Sequence, residues 1–140
     1  MNLFKSKHVG CYGIVKKDNK VLLIKKARGA YKGKLDLPGG GIEYGEAPDE
    51  TLKRELKEET NLLITDYQLK TVLTHYEIWN IDDENQEELS HIAIIYDVKL
   101  PKESNIKKDE DGLDSLGAEW YEIDKLKIEE LSPIAQCIKE

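Results

Sequence analysis

The chain has 140 residues, of which 39% are hydrophobic and 35% charged, and its 21 basic and 28 acidic residues give a formal net charge of −7. This length suits one domain over residues 1–140, and the composition is that of a globular rather than a disordered protein. The acidic balance disfavours a nucleic-acid polymer as partner, because such a chain has no long-range attraction for a phosphate backbone. A small polyphosphate remains compatible, since a local basic patch or a divalent cation can bind it.

We predict no targeting or membrane signal in this sequence. Residues 1–8 lack the apolar core of a signal peptide, and no apolar run approaches the ~20 residues that a membrane span needs. Cys11 and Cys137 are far apart, and no Cys/His cluster has zinc spacing, which predicts two reduced thiols. We therefore expect a cytoplasmic protein without a membrane partner.

The first third of the chain is predicted to form short strands. Residues 9–15 are apolar and β-prone, residues 16–20 form a polar turn, and residues 21–24 are apolar again, which predicts a hairpin. The basic, glycine-containing residues 27–34 predict a loop. Residues 35–37 are predicted to be extended, because Pro38 disfavours helix in the residue before it.

A helix is predicted from Pro48 to Thr60, after the glycine run at residues 39–41. Proline fits the first helical position, and Asp49 and Glu50 complement the dipole of the first turn. Asn61 follows where a left-handed C-terminal cap is expected, since Asn tolerates that geometry best after Gly.

The second half predicts further strands and one more helix. Strands are expected at residues 67–79 and 92–100, joined by the polar stretch 82–88 as a hairpin loop. An acidic loop covers residues 102–115. A short strand at Glu119–Tyr121 and a helix capped by Ser132 and running to about Lys139 complete the chain. This mixture predicts an α+β or α/β/α layered domain.

Three carboxylates share one face of the predicted helix. Relative to Glu55, residues Glu58 and Glu59 lie at about −60° and +40° around the axis, so the three occupy an arc of roughly 100°. Like charges at this spacing weaken a helix, so a joint function of the three carboxylates is one interpretation of their presence. Taken alone, three acidic residues in five are more often the charged face of a surface helix. Hard cations such as Mg²⁺ prefer oxygen ligands of this kind. The apolar pair Leu52 and Leu56 can dock the same helix on a sheet.

The whole string around these carboxylates resembles the Nudix box, G-x5-E-x7-R-E-U-x-E-E-x-G-U with U aliphatic. Eight of its nine defined positions match with the required spacing, and the one departure is Asn61 in place of the last glycine. The resemblance covers essentially the whole chain and implies a Nudix fold, an α/β/α sandwich with a mixed central sheet. The residues that carry it are Gly40, Glu46, Arg54, Glu55, Leu56, Glu58, Glu59 and Leu62.

The resemblance implies cleavage of a nucleoside diphosphate linked to another moiety, with magnesium, or alternatively manganese, as cofactor. It implies that Glu55, Glu58, Glu59 and the carbonyl group of Gly39 ligate the metal, and that Arg54 orients the carboxylates. Either Glu58 or Glu59 serves as general base. A later loop is the alternative source of the base, and its candidate residues here are Asp109, Glu110, Asp111 and Asp114.

The predicted substrate contacts are Arg28 and Lys34 before the glycine turn and Gly40 and Glu46 within it. The basic pair could meet phosphate groups, and an ordinary surface loop is the competing interpretation. Tyr76 and Trp79 could stack on a base, although aromatic residues on a strand are more often part of the core. His75 and His91 have no zinc spacing and are taken as structural.

Two other functions remain open. A Nudix-fold module that binds a nucleotide without cleaving it is disfavoured, because every box carboxylate is present. A prenyl-diphosphate isomerase on the same fold would need a cysteine near the site, for which Cys11 is the candidate. The substrate is open among nucleoside triphosphates, ADP-ribose, dinucleoside polyphosphates and nucleotide sugars. Since members of the family often pair up, a homodimer is a further expectation.

Overall fold

The computed structural model describes residues 1–104, 106 and 115–140, and the candidate bases at residues 109–114 lie outside these ranges. Within the described residues the chain forms seven strands, one α-helix and three short 3-10 helices. The strands are β1 (Asn2–Lys17), β2 (Lys20–Lys26), β3 (Leu35–Asp36), β4 (Gly39–Gly41), β5 (Tyr67–Asn80), β6 (Asn85–Val98) and β7 (Ser115–Glu122); the helix is α1 (Pro48–Thr60); the 3-10 helices are Ile123–Lys125, Ile128–Glu130 and Ala135–Lys139.

The strands form a mixed sheet centred on β1. Its order is β3-β2-β1-β6-β5, with β4 also pairing with β1 and β7 with β2. The β1–β6 pair is parallel and the other pairs are antiparallel. This arrangement confirms the predicted α+β class with a mixed sheet.

The predicted hairpin of β1 and β2 is confirmed, but β1 is longer than expected. Lys17 pairs with Lys20 across the turn, in which Asp18 has a φ of 55°. The predicted start at residue 9 is wrong, because β1 begins at Asn2. Its first residues are mostly polar and exposed, and they are extended because each pairs with a residue of β6, from Asn2 with Asn85 to His8 with His91.

The polar stretch 82–88 is mostly strand rather than the predicted loop. Strand β6 begins at Asn85 instead of residue 92, so that only residues 81–84 connect it to β5. In this tight connection Asp82 Oδ1 accepts hydrogen bonds from the backbone N–H groups of Glu84 and Asn85, at 2.8 and 2.9 Å. Pairing with β5 on one side and β1 on the other compensates for the low strand preference of these polar residues.

Helix α1 forms between the predicted ends. Its first turn is stabilised where Glu50 Oε1 accepts a hydrogen bond from the backbone N–H of Ala47, at 3.0 Å. Asn61 ends the helix with φ 65° and ψ 20°, and its N–H bonds to the carbonyl of Lys57. The predicted left-handed cap is thereby confirmed, and Asn61 fills it without glycine.

Two apolar clusters cover the two faces of the sheet and make three layers. On one face, α1 docks through Leu52 and Leu56, both fully buried, as the sequence predicted. On the other face, the C-terminal segment that contains the 3-10 helices packs its apolar residues, among them Leu131 and Ile134, against the sheet. No helix in the described ranges is long and apolar enough to cross a membrane.

The predicted C-terminal helix forms as a 3-10 helix at Ala135–Lys139, so the expectation of a second α-helix is wrong. The helix has Ile134 rather than Ser132 at its N-cap position, although Ser132 Oγ accepts a hydrogen bond from the N–H of Ala135 at 3.0 Å. The same hydroxyl donates to Asp36 Oδ1 at 2.6 Å, and the N–H of Ser132 donates to the carbonyl of Leu35. These tertiary bonds fix the segment against β3, a constraint that local helix signals do not contain.

Candidate active site

A cavity of about 790 Å³ opens where the glycine turn, α1 and the central strands meet. One part of its lining consists of residues Gly39 to Gly41 and the carboxylates of α1. Another part consists of side chains from β1, β6 and the loop before β3. The cavity therefore brings the acidic helix face next to aromatic and histidine side chains, which are those of His8, Tyr12, Tyr31 and His91.

The three helix carboxylates lie at the cavity, as their angular spacing predicted. They differ in environment. Glu59 is 6% exposed, and its Oε1 accepts a hydrogen bond from the backbone N–H of Gly39 at 2.7 Å. The side chain of Glu55 is 17% exposed, and that of Glu58 is 58% exposed. Glu58 is thus the carboxylate of the three that is most open to solvent.

The glycine turn fits closely against these carboxylates. A Cβ atom at Gly40 would lie 2.5 Å from the carboxyl carbon of Glu55, so a side chain at this position would displace that group. A Cβ atom at Gly39 would lie 2.1 Å from the carbonyl oxygen of Cys11, and Gly39 also has a φ of 148°. Glycine is therefore required at position 39 by the neighbouring backbone, whereas at position 40 it leaves space for the carboxylate of Glu55.

Arg54 joins the helix to the preceding loop. Its Nε and Nη2 donate to the two oxygens of Glu46, at 2.7 and 2.9 Å, and Nη2 also donates to the carbonyl of Gly41 at 3.1 Å. Its Nη1 donates to Glu55 at 2.8 Å and to Glu58 at 3.5 Å. A planar guanidinium group can hold several carboxylates in this way, which a lysine cannot do.

Glu46 is held in its ionised form by this network. Hydrogen bonds from Arg54, from the backbone N–H of Glu43 and from the hydroxyl of Thr51 lower the pKa of Glu46 to about 2. The hydrogen bonds to Glu46 in turn raise the pKa of Arg54. Glu46 therefore acts on the site through Arg54, and it is absent from the cavity lining.

The donor set at the turn suits a hard divalent cation. Glu55, Glu58 and Glu59 offer only oxygen atoms, which Mg²⁺ and Mn²⁺ prefer, and the missing side chain at Gly40 leaves room beside Glu55. In the described ranges no three His, Cys, Asp or Glu side chains already form a complete ligand cluster. Hydrogen bonds turn Glu55 towards Arg54 and Glu59 towards Gly39.

Two of the four predicted substrate-binding residues line the cavity, and the other two do not. Arg28 and Gly40 line the cavity. Lys34 does not, because its ammonium group donates to the carbonyl of Glu129 and is tied to the C-terminal segment. Glu46 is bound to Arg54 instead. The sequence could not distinguish Arg28 from Lys34, since both lie in one basic loop.

An aromatic and histidine wall of the cavity was not predicted from the sequence. Tyr12 Oη lies 2.7 Å from His91 Nε2, and Tyr31 Oη lies 2.8 Å from His91 Nδ1. Tyr12 Oη is also 3.3 Å from His8 Nε2. The alternation of His8, Gly10 and Tyr12 on one face of a strand was the available signal, but only pairing with β6 brings His91 beside them.

Charge on His91 is disfavoured at this wall. Burial, followed by the neighbouring His8, His75 and Lys26, lowers the pKa of His91 from 6.5 to about 3.

Lys26 and Asp36 also line the cavity, and no sequence pattern singled them out. Asp36 is 3% exposed, and its Oδ1 accepts hydrogen bonds from Ser132 and from the N–H of Leu37.

Other candidates lie away from the cavity. Tyr76 is 56% exposed and donates a hydrogen bond to Glu88. Trp79 donates at 2.6 Å to Glu87, which is itself a lining residue of the cavity. Neither Tyr76 nor Trp79 itself lines the cavity. Cys11 is fully buried in the apolar cluster under α1, and burial raises its pKa to about 11.

Comparison with known proteins identifies relatives of the chain. A family model of the NUDIX domain matches residues 5–139. An ADP-ribose pyrophosphatase from Methanocaldococcus jannaschii is 53% identical over 51 residues, which are 36% of this chain and 30% of that protein. The nucleoside triphosphatase NudI from Salmonella paratyphi B is 36% identical over 88 residues, 60% of this chain and 62% of that protein. The chain thus matches less than two thirds of the length of these curated relatives.

Solved structures share the fold. A MutT NUDIX hydrolase from Burkholderia pseudomallei superposes with a TM-score of 0.71 at 23% identity, covering 95% of each chain. The NUDIX domain of Shewanella oneidensis NrtR, solved with ADP ribose, has a TM-score of 0.64 at 17% identity and covers 97% of this chain and 89% of that one. At these identities the similarity establishes the architecture alone.

Proposed function

Because the chain belongs to the Nudix family, we propose that it is a divalent-metal-dependent hydrolase that cleaves the pyrophosphate linkage of a nucleoside diphosphate joined to another moiety. The observation that carries this proposal is the meeting of Glu55, Glu58 and Glu59 with the Gly39–Gly41 turn in one cavity. The names of the two relatives, an ADP-ribose pyrophosphatase and a nucleoside triphosphatase, support a substrate of this class.

The residues of the cavity have different roles in the proposed hydrolysis. Glu55, Glu58, Glu59 and the carbonyl of Gly39 would hold Mg²⁺ or Mn²⁺, and Arg54 orients the carboxylates. When bound, the cation supplies positive charge against the diphosphate oxygens. Arg28 at the cavity adds a positive charge that can bind a phosphate group.

We assign the proton-accepting role to Glu58. Its side chain is 58% exposed, so that water can reach it, whereas Glu59 is buried against the backbone of Gly39. A base must lie within hydrogen-bonding reach of the proton that it removes. Of the carboxylates assigned to the metal, Glu58 is therefore the one that is also accessible as a base.

Separation of the cleaved products by ion-exchange chromatography tests this function on the wild-type chain, because hydrolysis of a pyrophosphate linkage in ADP-ribose or a nucleotide sugar gives two phosphate monoesters and no free phosphate. Purified protein is incubated with Mg²⁺ and, in turn, a nucleoside triphosphate, ADP-ribose, a dinucleoside polyphosphate and a nucleotide sugar. We expect turnover of at least one of them, no turnover with a chelator present, and recovery after Mg²⁺ or Mn²⁺ is added back. The variant Glu58→Gln should lose about 100-fold or more in kcat, as removal of a general base does.

The matched control is Glu119→Gln, the same change at an exposed carboxylate on β7 that does not line the cavity. It should retain wild-type kcat. Binding without any turnover by the wild type would overturn the hydrolase and favour a nucleotide-binding module. The isomerase alternative gains no support, because Cys11 is buried under α1 and absent from the cavity lining.

A further inference from the structure

One carboxylate of the cavity comes from a different part of the fold than the others. The three carboxylates of α1 lie at the glycine turn, and Asp36 is 3% exposed and bonded to Ser132. Glu87 lines the same cavity from strand β6, close to its start in the β5–β6 hairpin. Glu87 therefore brings a further negative charge into the cavity from the hairpin.

The register of the sheet shows how far Glu87 is from the glycine turn. Gly40 of β4 pairs with Cys11 of β1, and Cys11 pairs with Ile94 of β6. Glu87 precedes Ile94 by seven residues on the same strand, which at about 3.3 Å per residue amounts to roughly 23 Å along the strand. A diphosphate held by the carboxylates of α1 is much shorter than this. The end of the cavity at Glu87 is therefore where a group attached to the diphosphate would bind.

Trp79 fixes the orientation of Glu87. The two residues are opposite each other in the antiparallel β5–β6 pair, so their side chains lie on the same face of the sheet. The indole N–H of Trp79 donates to Oε1 of Glu87 at 2.6 Å. The other oxygen, Oε2, accepts no hydrogen bond from the residues that the structure describes. Glu87 thus has one oxygen held by the protein and one that can accept a hydrogen bond from a ligand.

We propose that Glu87 binds the hydroxyl groups of a sugar in the substrate, at the end of the cavity away from the metal, and thereby selects a nucleoside diphosphate derivative that carries this sugar. The inference rests on the proposed function, because the diphosphate must be held at the glycine turn for the sugar to reach Glu87. The sugar is either the ribose of the nucleoside or a second sugar joined to the diphosphate. Trp79 is a positioning residue, since it acts through Glu87.

The chemistry of a carboxylate favours a sugar over the other groups of such a substrate. A carboxylate only accepts hydrogen bonds, and each sugar hydroxyl can rotate to donate one. A nucleobase presents acceptors beside its donors, so part of its edge would face the carboxylate unfavourably. A phosphate offers acceptors alone and is repelled by the negative charge. Lys26 and Arg28 line the same cavity and supply the positive charge that suits the phosphate groups.

Non-hydrolysable probes separate the sugar contribution from that of the diphosphate. Calorimetry with Mg²⁺ measures the affinity of the full chain for methylenediphosphonate, α,β-methylene-ADP, the 2′-deoxy form of the latter, and α,β-methylene-ADP-ribose. If Glu87 binds the ribose of the nucleoside, the 2′-deoxy probe should bind about tenfold more weakly than its parent. If Glu87 binds a second sugar, the ADP-ribose probe should bind about tenfold more tightly than methylene-ADP, and the 2′-deoxy form should differ less than twofold from its parent.

Variants of Glu87 and Trp79 test whether these residues cause the preference. Leucine in Glu87→Leu is similar in size and accepts no hydrogen bond, so the tenfold difference should fall to about twofold or less. Trp79→Phe keeps an aromatic ring without the N–H and should reduce the difference to about threefold. In both variants the affinity for methylenediphosphonate should change less than twofold, a result that general loss of folding does not give.

The neighbouring residue on β6 supplies matched controls. Glu88 faces the opposite side of the sheet from Glu87, where it accepts a hydrogen bond from Tyr76 at 2.7 Å, and it does not line the cavity. Glu88→Leu and Tyr76→Phe thus repeat the loss of an acceptor and of a donor on the other face. Both should leave the affinity for every probe unchanged within twofold.

Three results contradict a sugar subsite at Glu87. They are the absence of both sugar preferences in wild type, a preference that persists in Glu87→Leu, and equal weakening of all four probes by that substitution. A full preference in Trp79→Phe would contradict the positioning role of Trp79. Each of these results leaves the hydrolase in place if the product assay shows turnover, whereas absence of all turnover by the wild type overturns the hydrolase through a separate measurement.

Discussion

Two adjacent glycines at the turn have different physical roles. Gly39 lies in β4 opposite Tyr12, with a positive φ and with its hydrogen atoms against the backbone of Cys11. At Gly40, by contrast, the three atoms nearest to an added Cβ atom, at 2.5 to 2.7 Å, all belong to the carboxylate of Glu55. A backbone neighbour cannot move aside, while the end of a long side chain can.

Alanine substitutions should therefore separate stability from activity. Gly39→Ala is expected to lower the free energy of unfolding by more than about 3 kcal/mol, because it combines a backbone clash with an unfavourable φ. Gly40→Ala should change it by no more than about 1 kcal/mol yet reduce kcat about tenfold or more, since Glu55 is displaced. Urea denaturation and steady-state kinetics on both variants check this. Equal destabilisation by the two substitutions would contradict the assignment.

At the scale of elements, the loop of residues 41–46 and helix α1 are joined chiefly through Arg54, with one further hydrogen bond from Thr51 to Glu46. Arg54 bonds to the carbonyl of Gly41, to both oxygens of Glu46 and to Glu55. The orientation of the carboxylates thus depends on the loop, and the loop depends on the helix. Partners that orient ligand residues typically change metal affinity or activity roughly 10- to 100-fold when they are lost.

Arg54→Lys should consequently act on metal binding. Lysine keeps the charge but cannot bond to Glu46 through two nitrogens while also reaching Glu55. We expect the Mg²⁺ concentration for half-maximal activity to rise about tenfold or more, with a smaller effect on thermal stability. Lys57→Arg, the reverse exchange at an exposed position of the same helix, serves as control. An unchanged Mg²⁺ dependence in Arg54→Lys would show that Arg54 has only a structural role.

At the scale of the whole molecule, the row of histidines links the stability of the sheet to pH. The pKa of His91 is lowered from 6.5 to about 3, chiefly by burial and then by His8, His75 and Lys26. The unfolded chain therefore binds a proton that the folded chain does not, at pH values between these two pKa values. The stability that this group contributes is fully present above pH 6.5 and is lost as the pH falls towards 3.

We expect the free energy of unfolding to decrease by about 1.4 kcal/mol per pH unit from this group as the pH is lowered below 6.5. Urea denaturation at about pH 7, 6 and 5 measures the slope, in a range above the ordinary pKa values of carboxyl groups. His91→Gln cannot titrate and should show a flatter profile over the same range. Parallel profiles for the two proteins would rule His91 out as the source of acid sensitivity.

Local sequence determined helix α1 and the spacing of its functional residues. Pro48, the acidic first turn and Asn61 mark the ends of α1, and these signals act within a few residues of one another. The fixed distances from Gly40 through Glu46 and Arg54 to the glutamates are enough to identify the family, because they are distances along the chain and need no knowledge of the fold. The hairpin of β1 and β2 and the burial of Leu52 and Leu56 also follow from local patterns.

Features that depend on the pairing of residues far apart in the sequence became visible only in the tertiary structure. The polar residues at the starts of β1 and β6 become strands because they pair with each other, and a sequence pattern gives no sign of a partner 83 positions away. The same parallel pairing places His91 between Tyr12 and Tyr31, whereas Lys34 is drawn from the cavity by Glu129. The sequence thus determined the carboxylate helix and its glycine turn, because those interactions are local. The wall opposite them is assembled from separate strands, and only the folded sheet brings its residues together.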